Sequence, residues 1–154
     1  MRTTVLENSI RIDAAPDKVW SALASLDTLD RYDPGVAKAQ ILTDAKEGPG
    51  AARRCDLKPG GWFKERVSEW RPHEALAFEL YECTLPVRRL KHRYTIVADG
   101  AGTVVRQRME YELKFGAFGR LLDALFVKRK WNAGIRSFFG GLKRYIEDGN
   151  AKVR

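Results

Sequence analysis

Acid–base chemistry in this sequence centres on one histidine and two tyrosines, His92, Tyr94 and Tyr111. An imidazole titrates near neutral pH, and a tyrosine hydroxyl can donate a hydrogen bond to an enolate-like oxygen. Cyclisation or dehydration of a carbonyl compound needs both a group that takes up and returns a proton and a donor to the enolate oxygen. The alternative is a histidine packed on a strand, because the spacing alone identifies no carboxylate that orients its ring. Glu65 or Glu69 would supply one if their strand turned that face inward.

Polar residues also interrupt two apolar faces that we predict to lie inside the protein. Gln107 and Tyr111 interrupt a strand face, whereas Lys128 and Asn132 interrupt a helix stripe. Burying a polar group without a partner costs roughly 1 to 3 kcal/mol. Water, a neighbour, or outward extension of Lys128 would satisfy any single residue, but the group together favours a bound ligand. The predicted ligand-binding residues are Glu65, His92, Tyr94, Gln107, Met109, Tyr111, Lys128, Trp131, Asn132 and Ile135.

The elements that position these residues begin with a strand, a short helix and a turn. Leu6 to Ile12 alternates between an apolar and a polar face, as a half-buried strand does. Pro16 suits a first helical turn, and apolar residues continue at helical spacing to Leu26, which predicts a short amphipathic helix. The turn-rich segment from Asp27 to Gly35 has room for a second short helix.

Extended segments follow, separated by KEGPG, PGG, RPHE and DGAG. Such separators are typical of hairpins, so we predict an antiparallel meander rather than helix-linked parallel strands. The segments are Val36 to Thr43, Ala51 to Lys58, Trp62 to Trp70, Ala75 to Leu85, Arg89 to Ala98 and Thr103 to Phe115.

Two of these segments have clearly assigned faces. The predicted inner residues of the first are Leu90, His92, Tyr94 and Ile96. Those of the second are Val105, Gln107, Met109, Tyr111, Leu113 and Phe115. In the segment Trp62 to Trp70, the face with Glu65 competes with the face that carries both tryptophans, and the inner side stays open.

From about Phe118 the apolar period becomes helical and continues to about Asp148, before the helix-ending residues Gly149 and Asn150. Its predicted inner stripe is Leu121, Leu125, Lys128, Asn132, Ile135, Phe139, Leu142 and Ile146. Apolar residues of such a stripe would serve both as core and as pocket lining.

Length and charge limit the class of protein. The 154 residues fit one domain, which we predict over residues 1–150 with a short basic tail at 151–154. The sequence shows neither a membrane-spanning run nor the apolar centre of a secretory signal, so we expect a cytoplasmic protein. A formal charge of +8 favours an anionic ligand or a phospholipid surface. Nucleic acid ranks lower because the aromatic residues are predicted to face inward.

Metal and cofactor chemistry find no support in the sequence. It has two histidines and two cysteines, and it lacks HExxH, CxxC, GxGxxG and Walker patterns. We therefore expect no metal and no cofactor, and interpret Cys55 and Cys83 as free strand residues. The sequence leaves open whether the protein is a monomer or a homodimer.

The order of these elements, with IRIDAAPDKVWSALASLDTLDRYDPGV at the start, resembles the START-like or SRPBCC superfamily, and most of all its bacterial polyketide cyclase/dehydrase branch. The matching motifs are Ala15-Pro16, Val19-Trp20 and Asp33-Pro34. The resemblance implies an α+β helix-grip fold, in which a curved antiparallel sheet of about seven strands wraps around a long C-terminal helix. Two short helices would lie between the first two strands. It also implies a cavity between sheet and helix that takes lipids, polyketides, quinones or aromatic molecules.

Function remains at three hypotheses, because these motifs mark the fold rather than an activity. The first is binding of a hydrophobic or aromatic small molecule in the cavity. The second is a polyketide cyclase or dehydratase that uses His92, Tyr94 and Tyr111. The third is a membrane-surface or protein-partner module with basic patches at Lys128 to Lys130 and at Lys143 and Arg144.

Overall fold

The computed structural model describes residues 3–149, which form an antiparallel sheet and a C-terminal helix of residues 116–149. Within that range the sheet order is β1-β7-β6-β5-β4-β3-β2. The strands are β1 Thr4–Ile12, β2 Val36–Ile41, β3 Ala52–Leu57, β4 Trp62–Arg71, β5 Ala75–Cys83, β6 Val87–Asp99 and β7 Gly102–Leu113. The predicted α+β helix-grip fold is confirmed. Asn150 and the predicted tail at 151–154 lie outside the described residues.

Short helical elements connect β1 to β2, as predicted. Helix α1 spans Pro16–Ala24, and a single 3₁₀ turn spans Leu29–Arg31. The C-terminal helix consists of α2 Gly116–Leu122, a π-helical segment Asp123–Val127, α3 Lys128–Arg144 and a second π-helical segment Tyr145–Gly149. No helix among the described residues is long and apolar enough to cross a membrane.

The core lies between the inner face of the sheet and the C-terminal helix. Val105 and Tyr111 of β7 are buried there with Leu142 and Ile146 of the helix. Each fully buried side chain of this size contributes roughly 1.5 to 3 kcal/mol. The predicted inner faces of β6 and β7 are confirmed from Leu90 to Ile96 and from Val105 to Tyr111, although Met109 is only half-buried. Phe115, the last residue of that predicted face, is exposed and has a left-handed backbone (φ 77°) at the corner after β7.

The predicted helix stripe is wrong at its beginning. Leu121, Leu125 and Lys128 are exposed, and the stripe is buried only from Ile135 onward. Asp123 turns inward instead, because Tyr111 and Thr4 donate hydrogen bonds to its carboxylate. A π-helical turn contains one more residue than an α-helical turn. Inward-facing residues before and after the segment Asp123–Val127 therefore do not fall on one α-helical spacing.

Candidate functional site

The first part of the site is built around Glu65, which the orientation of β4 places inside the protein. Glu65 and Val67 face the interior, and the Glu65 side chain is fully buried. Arg53, directly opposite on β3, donates from Nε to Glu65 Oε2 at 2.7 Å. The other oxygen, Oε1, lies 2.7 Å from His92 Nε2 on β6. We call these residues the Arg53–Glu65–His92 network.

Arg53 also contacts residues outside this network. Its side chain is 4% exposed, and Nη1 donates to the carbonyl of Leu26 at 3.2 Å. The guanidinium lies 4.5 Å from the ring centroid of Phe78, which also stacks on His92 at 5.1 Å. A buried cation in this setting needs its carboxylate, because desolvation penalises an unpaired charge.

Electrostatics keep Glu65 ionised. Burial would raise the pKa of its carboxyl, but the charge of Arg53, the electrostatic interaction with His92 and the hydrogen bonds from both residues lower that pKa to about 2. An ionised carboxylate accepts hydrogen bonds only, so His92 Nε2 donates to it. In the imidazole tautomer with its proton on Nε2, Nδ1 is a hydrogen-bond acceptor. Glu65 thus fixes both the orientation and the tautomer of the ring.

Tyr94 and Gln107 lie beside His92 on the same inner face. They are paired directly across β6 and β7, and Gln107 Nε2 donates to the Tyr94 hydroxyl at 3.1 Å. The Tyr94 ring lies 5.4 Å from that of His92 and 5.7 Å from that of Phe138. Burial raises the pKa of Tyr94, so its hydroxyl stays protonated.

Unpaired polar atoms mark this part of the interior. Among the buried side chains of residues 3–149, His92 Nδ1 and Gln107 Oε1 have no hydrogen-bond partner. Both can accept a hydrogen bond, and both come from neighbouring strands that face the helix. Each such atom costs free energy unless something outside the chain pairs with it.

Tyr111, by contrast, belongs to a separate cluster. Its hydroxyl donates to Asp123 Oδ1, while Thr4 Oγ1 donates to Oδ2 at 2.7 Å. Burial, followed by the bond to Asp123, raises the pKa of Tyr111. Trp131 packs on its ring with the centroids 4.6 Å apart. A pocket of about 150 Å³ lies next to this cluster, lined by Thr4, Glu112, Leu113, Gly116, Ala117, Gly119, Arg120 and Asp123.

Three other predicted ligand residues, Asn132, Ile135 and Lys128, differ in their burial and contacts. Asn132 accepts a hydrogen bond from Asn8 Nδ2 at 2.7 Å, so β1 satisfies part of its amide. Ile135 is buried, whereas Lys128 is exposed and lies away from the inner face. Within the described residues, no group of three or more His, Cys, Asp and Glu side chains is placed to hold a metal ion.

Comparison with protein families gives a match over nearly all of the described residues. A family model described as "Polyketide cyclase / dehydrase and lipid transport" matches residues 3–147. The chain belongs to this family. The predicted START-like, polyketide cyclase/dehydrase resemblance is therefore confirmed. No curated protein sequence gives a significant match.

Solved structures share the fold of this polyketide cyclase/dehydrase family member. A protein from Thermus thermophilus is 23% identical with a TM-score of 0.81, covering 95% of this chain and 99% of its own. A START superfamily protein from Mycobacterium smegmatis is 15% identical with a TM-score of 0.78, covering 93% and 97%. The Zhui aromatase/cyclase from Streptomyces sp. R1128 is 17% identical with a TM-score of 0.75, covering 96% and 98%. At these identities the likeness concerns the fold alone.

Sequence reasoning missed Arg53 and Asp123 in this family member. Arg53 stands next to Arg54 in the sequence, and the alternation of β3 alone does not indicate that it shares the inner face with the buried Cys55. Its role depends on pairing with Glu65, and the sequence left the orientation of β4 open. Asp123 was hidden because Thr4, one of its partners, lies 119 residues away in the chain.

Proposed function

We propose that this protein binds a small apolar molecule that carries a hydrogen-bond donor, held between the sheet and the C-terminal helix. The observation that carries the proposal is the pair of unpartnered buried atoms, His92 Nδ1 and Gln107 Oε1. Both present lone pairs, so a group that pairs with either atom must donate a hydrogen bond, which a hydroxyl can do and a carbonyl cannot. The rings of Phe78 and Tyr94 pack on His92, and Phe138 packs on Tyr94, which suits a flat ligand such as a phenol or an enol.

A matched pair of probes tests the donor requirement. We expect 2-naphthol to bind about tenfold more tightly than 2-methoxynaphthalene, which cannot donate, because one hydrogen bond in a dry site is worth about 1 kcal/mol or slightly more. In Gln107→Leu this preference should fall, because of these two acceptors only His92 Nδ1 is left, while the free energy of unfolding changes by about 1 kcal/mol or less. Probe fluorescence titration measures the first quantity and urea denaturation the second.

The exposed residue Gln40 supplies the control for that experiment. Gln40→Leu makes the same side-chain change on β2, outside the inner face, and should keep the full preference for 2-naphthol. Equal binding of both probes to the wild-type protein, or no binding of either, would contradict the proposal. Native mass spectrometry of the purified protein identifies any molecule that copurifies.

A second function, cyclisation or dehydration of a poly-β-ketone, is supported by the contact between Glu65 and His92. In this reaction His92 Nδ1 takes a proton from the acidic carbon between two carbonyls. The enolate carbon attacks a second carbonyl of the same chain, and the imidazolium returns its proton to the new alkoxide. Loss of water from that alcohol completes a dehydration. Glu65 orients the ring and stabilises the imidazolium, as the carboxylate of a catalytic triad does.

Two substitutions separate this reaction from binding alone. We expect His92→Gln to lower kcat with a model poly-β-ketone by at least about 100-fold, the usual contribution of a general base. Tyr111→Phe should leave kcat within a few-fold, because the Tyr111 hydroxyl is bound to Asp123 and not directed at His92. Turnover that is unchanged in His92→Gln would exclude the histidine as the base.

A further inference from the structure

Exposed apolar side chains are concentrated where the C-terminal helix begins. Among residues 3–149, eight large apolar side chains are exposed, and five of these lie within residues 115–126. They are between 52% and 64% exposed, whereas Leu42, Tyr81 and Val97 are scattered over the rest of the surface. We call these five the apolar patch: Phe115, Phe118, Leu121, Leu125 and Phe126. A contiguous apolar surface on a soluble fold marks an interaction site.

The patch is turned away from the core by the contacts on the opposite side of the same helix. Gly119 and Asp123 are buried, and Asp123 is fixed by Thr4 and Tyr111. Phe118, Leu121 and Leu125 follow the i, i+3, i+7 spacing of one helix face. The patch is therefore a built feature of the helix and cannot turn inward without breaking these bonds.

The exposed charges in the segment that carries the patch are all positive. Residues 114–130 contain five basic side chains and one acidic side chain, Asp123, which is buried. Lys128, Arg129 and Lys130 follow directly after the patch and are exposed. An apolar helix face bordered by lysine and arginine matches a bilayer with anionic headgroups. In a two-fold dimer through the same face, these cations would lie against their own copies, which disfavours a second copy as the occupant.

We propose that the apolar patch docks on an anionic phospholipid surface. Its apolar side chains enter the region between headgroups and acyl chains, and the basic residues contact the lipid phosphates. This surface does not depend on the ligand proposed above.

Vesicle cosedimentation tests the docking. The wild-type protein should bind phosphatidylcholine vesicles containing phosphatidylglycerol at least about tenfold more tightly than pure phosphatidylcholine, with weaker binding at high salt. Leu121→Ser/Leu125→Ser should weaken binding at least about tenfold, because it removes two inserting side chains. Lys128→Glu/Lys130→Glu should do the same. Each replaced side chain is exposed, so the fold is retained, which a thermal melt checks.

Matched controls place the same changes elsewhere on the surface. Leu42→Ser/Val97→Ser removes two exposed apolar side chains outside the patch, and Lys38→Glu/Lys46→Glu alters the net charge equally. Both controls should bind vesicles within about twofold of the wild type, since they leave the patch intact. Equal losses in a patch variant and its control would overturn the proposal. So would a wild-type dimer in analytical ultracentrifugation that Leu121→Ser/Leu125→Ser dissociates, with no binding to vesicles.

Discussion

Glu65→Gln lowers the free energy of unfolding by about 3 to 5 kcal/mol, the expected cost of leaving a buried partner charge uncompensated. Arg53 is 4% exposed, and its guanidinium stays positively charged with or without Glu65, because arginine is not deprotonated in proteins. A glutamine can still accept hydrogen bonds, but it does not neutralise the guanidinium. Urea denaturation at neutral pH measures the loss.

Glu69 provides the control on the same strand. Its carboxylate pairs with Arg93 Nε at 2.7 Å, but the two side chains are 30% and 43% exposed. Solvent screens such a pair, so Glu69→Gln should cost about 1 kcal/mol or less. If both substitutions cost the same, the Arg53–Glu65–His92 network does not stabilise the fold as an ion pair.

Acid unfolding reports on the same carboxylate. The pKa of Glu65 is lowered from 4.5 to about 2 in the folded protein. A carboxyl group with a lowered native pKa contributes stability above its unfolded pKa, and that contribution is lost as the pH falls through the folded value. The wild-type protein should therefore lose stability between about pH 4.5 and pH 2, and Glu65→Gln should show a shallower dependence in this window.

Gly141→Ala should lower the free energy of unfolding by about 3 kcal/mol, at the upper end of the usual cost of overpacking. A Cβ at this position would overlap the carbonyl oxygen of Tyr32 and would lie 3.0 Å from its carbonyl carbon. Backbone atoms cannot swing aside as a flexible side chain can. The Tyr32 ring is also packed between Phe138 and Tyr145 of the C-terminal helix, with centroid distances of 5.8 and 5.1 Å.

The neighbouring glycine is a matched control for that change. A Cβ on Gly140 would make an ordinary contact, 3.6 Å from the Arg144 guanidinium. Alanine is the better helix former, so Gly140→Ala should raise stability by about 0.5 to 1 kcal/mol. Thermal or urea unfolding of the two variants measures opposite shifts. A gain of stability in both would show that helix backbone entropy, rather than the approach to Tyr32, decides the outcome.

Much of the sheet follows from local pattern. β6 and β7 alternate strictly, so the inward placement of His92, Tyr94 and Gln107 could be predicted from a period of two. β4 could not be assigned in this way. Its register on β5 shifts between Lys64 and Glu65 and again between Val67 and Glu69, which interrupts the alternation in that strand.

The site depends on contacts that no local pattern contains. His92 was a candidate base without a known carboxylate until β4 placed Glu65 beside it. On the helix, Asp123 faces inward where Leu121 and Leu125 were predicted to do so, because its carboxylate accepts two hydrogen bonds there. Both cases concern polar groups whose free energy is set by partners far away in the chain.

The position of β1 at the sheet edge, next to β7, determines when this strand can pair during synthesis. Its partner is β7, with Thr4 opposite Tyr111 and Ile12 opposite Thr103. β1 precedes β7 by about a hundred residues and therefore waits, with these backbone groups unpaired, until β7 has been translated. Closing so long a chain segment is slow compared with forming the hairpins between β2 and β7. Docking of β1 is thus a late folding step, and until it happens the nascent chain carries an open strand that a chaperone can bind.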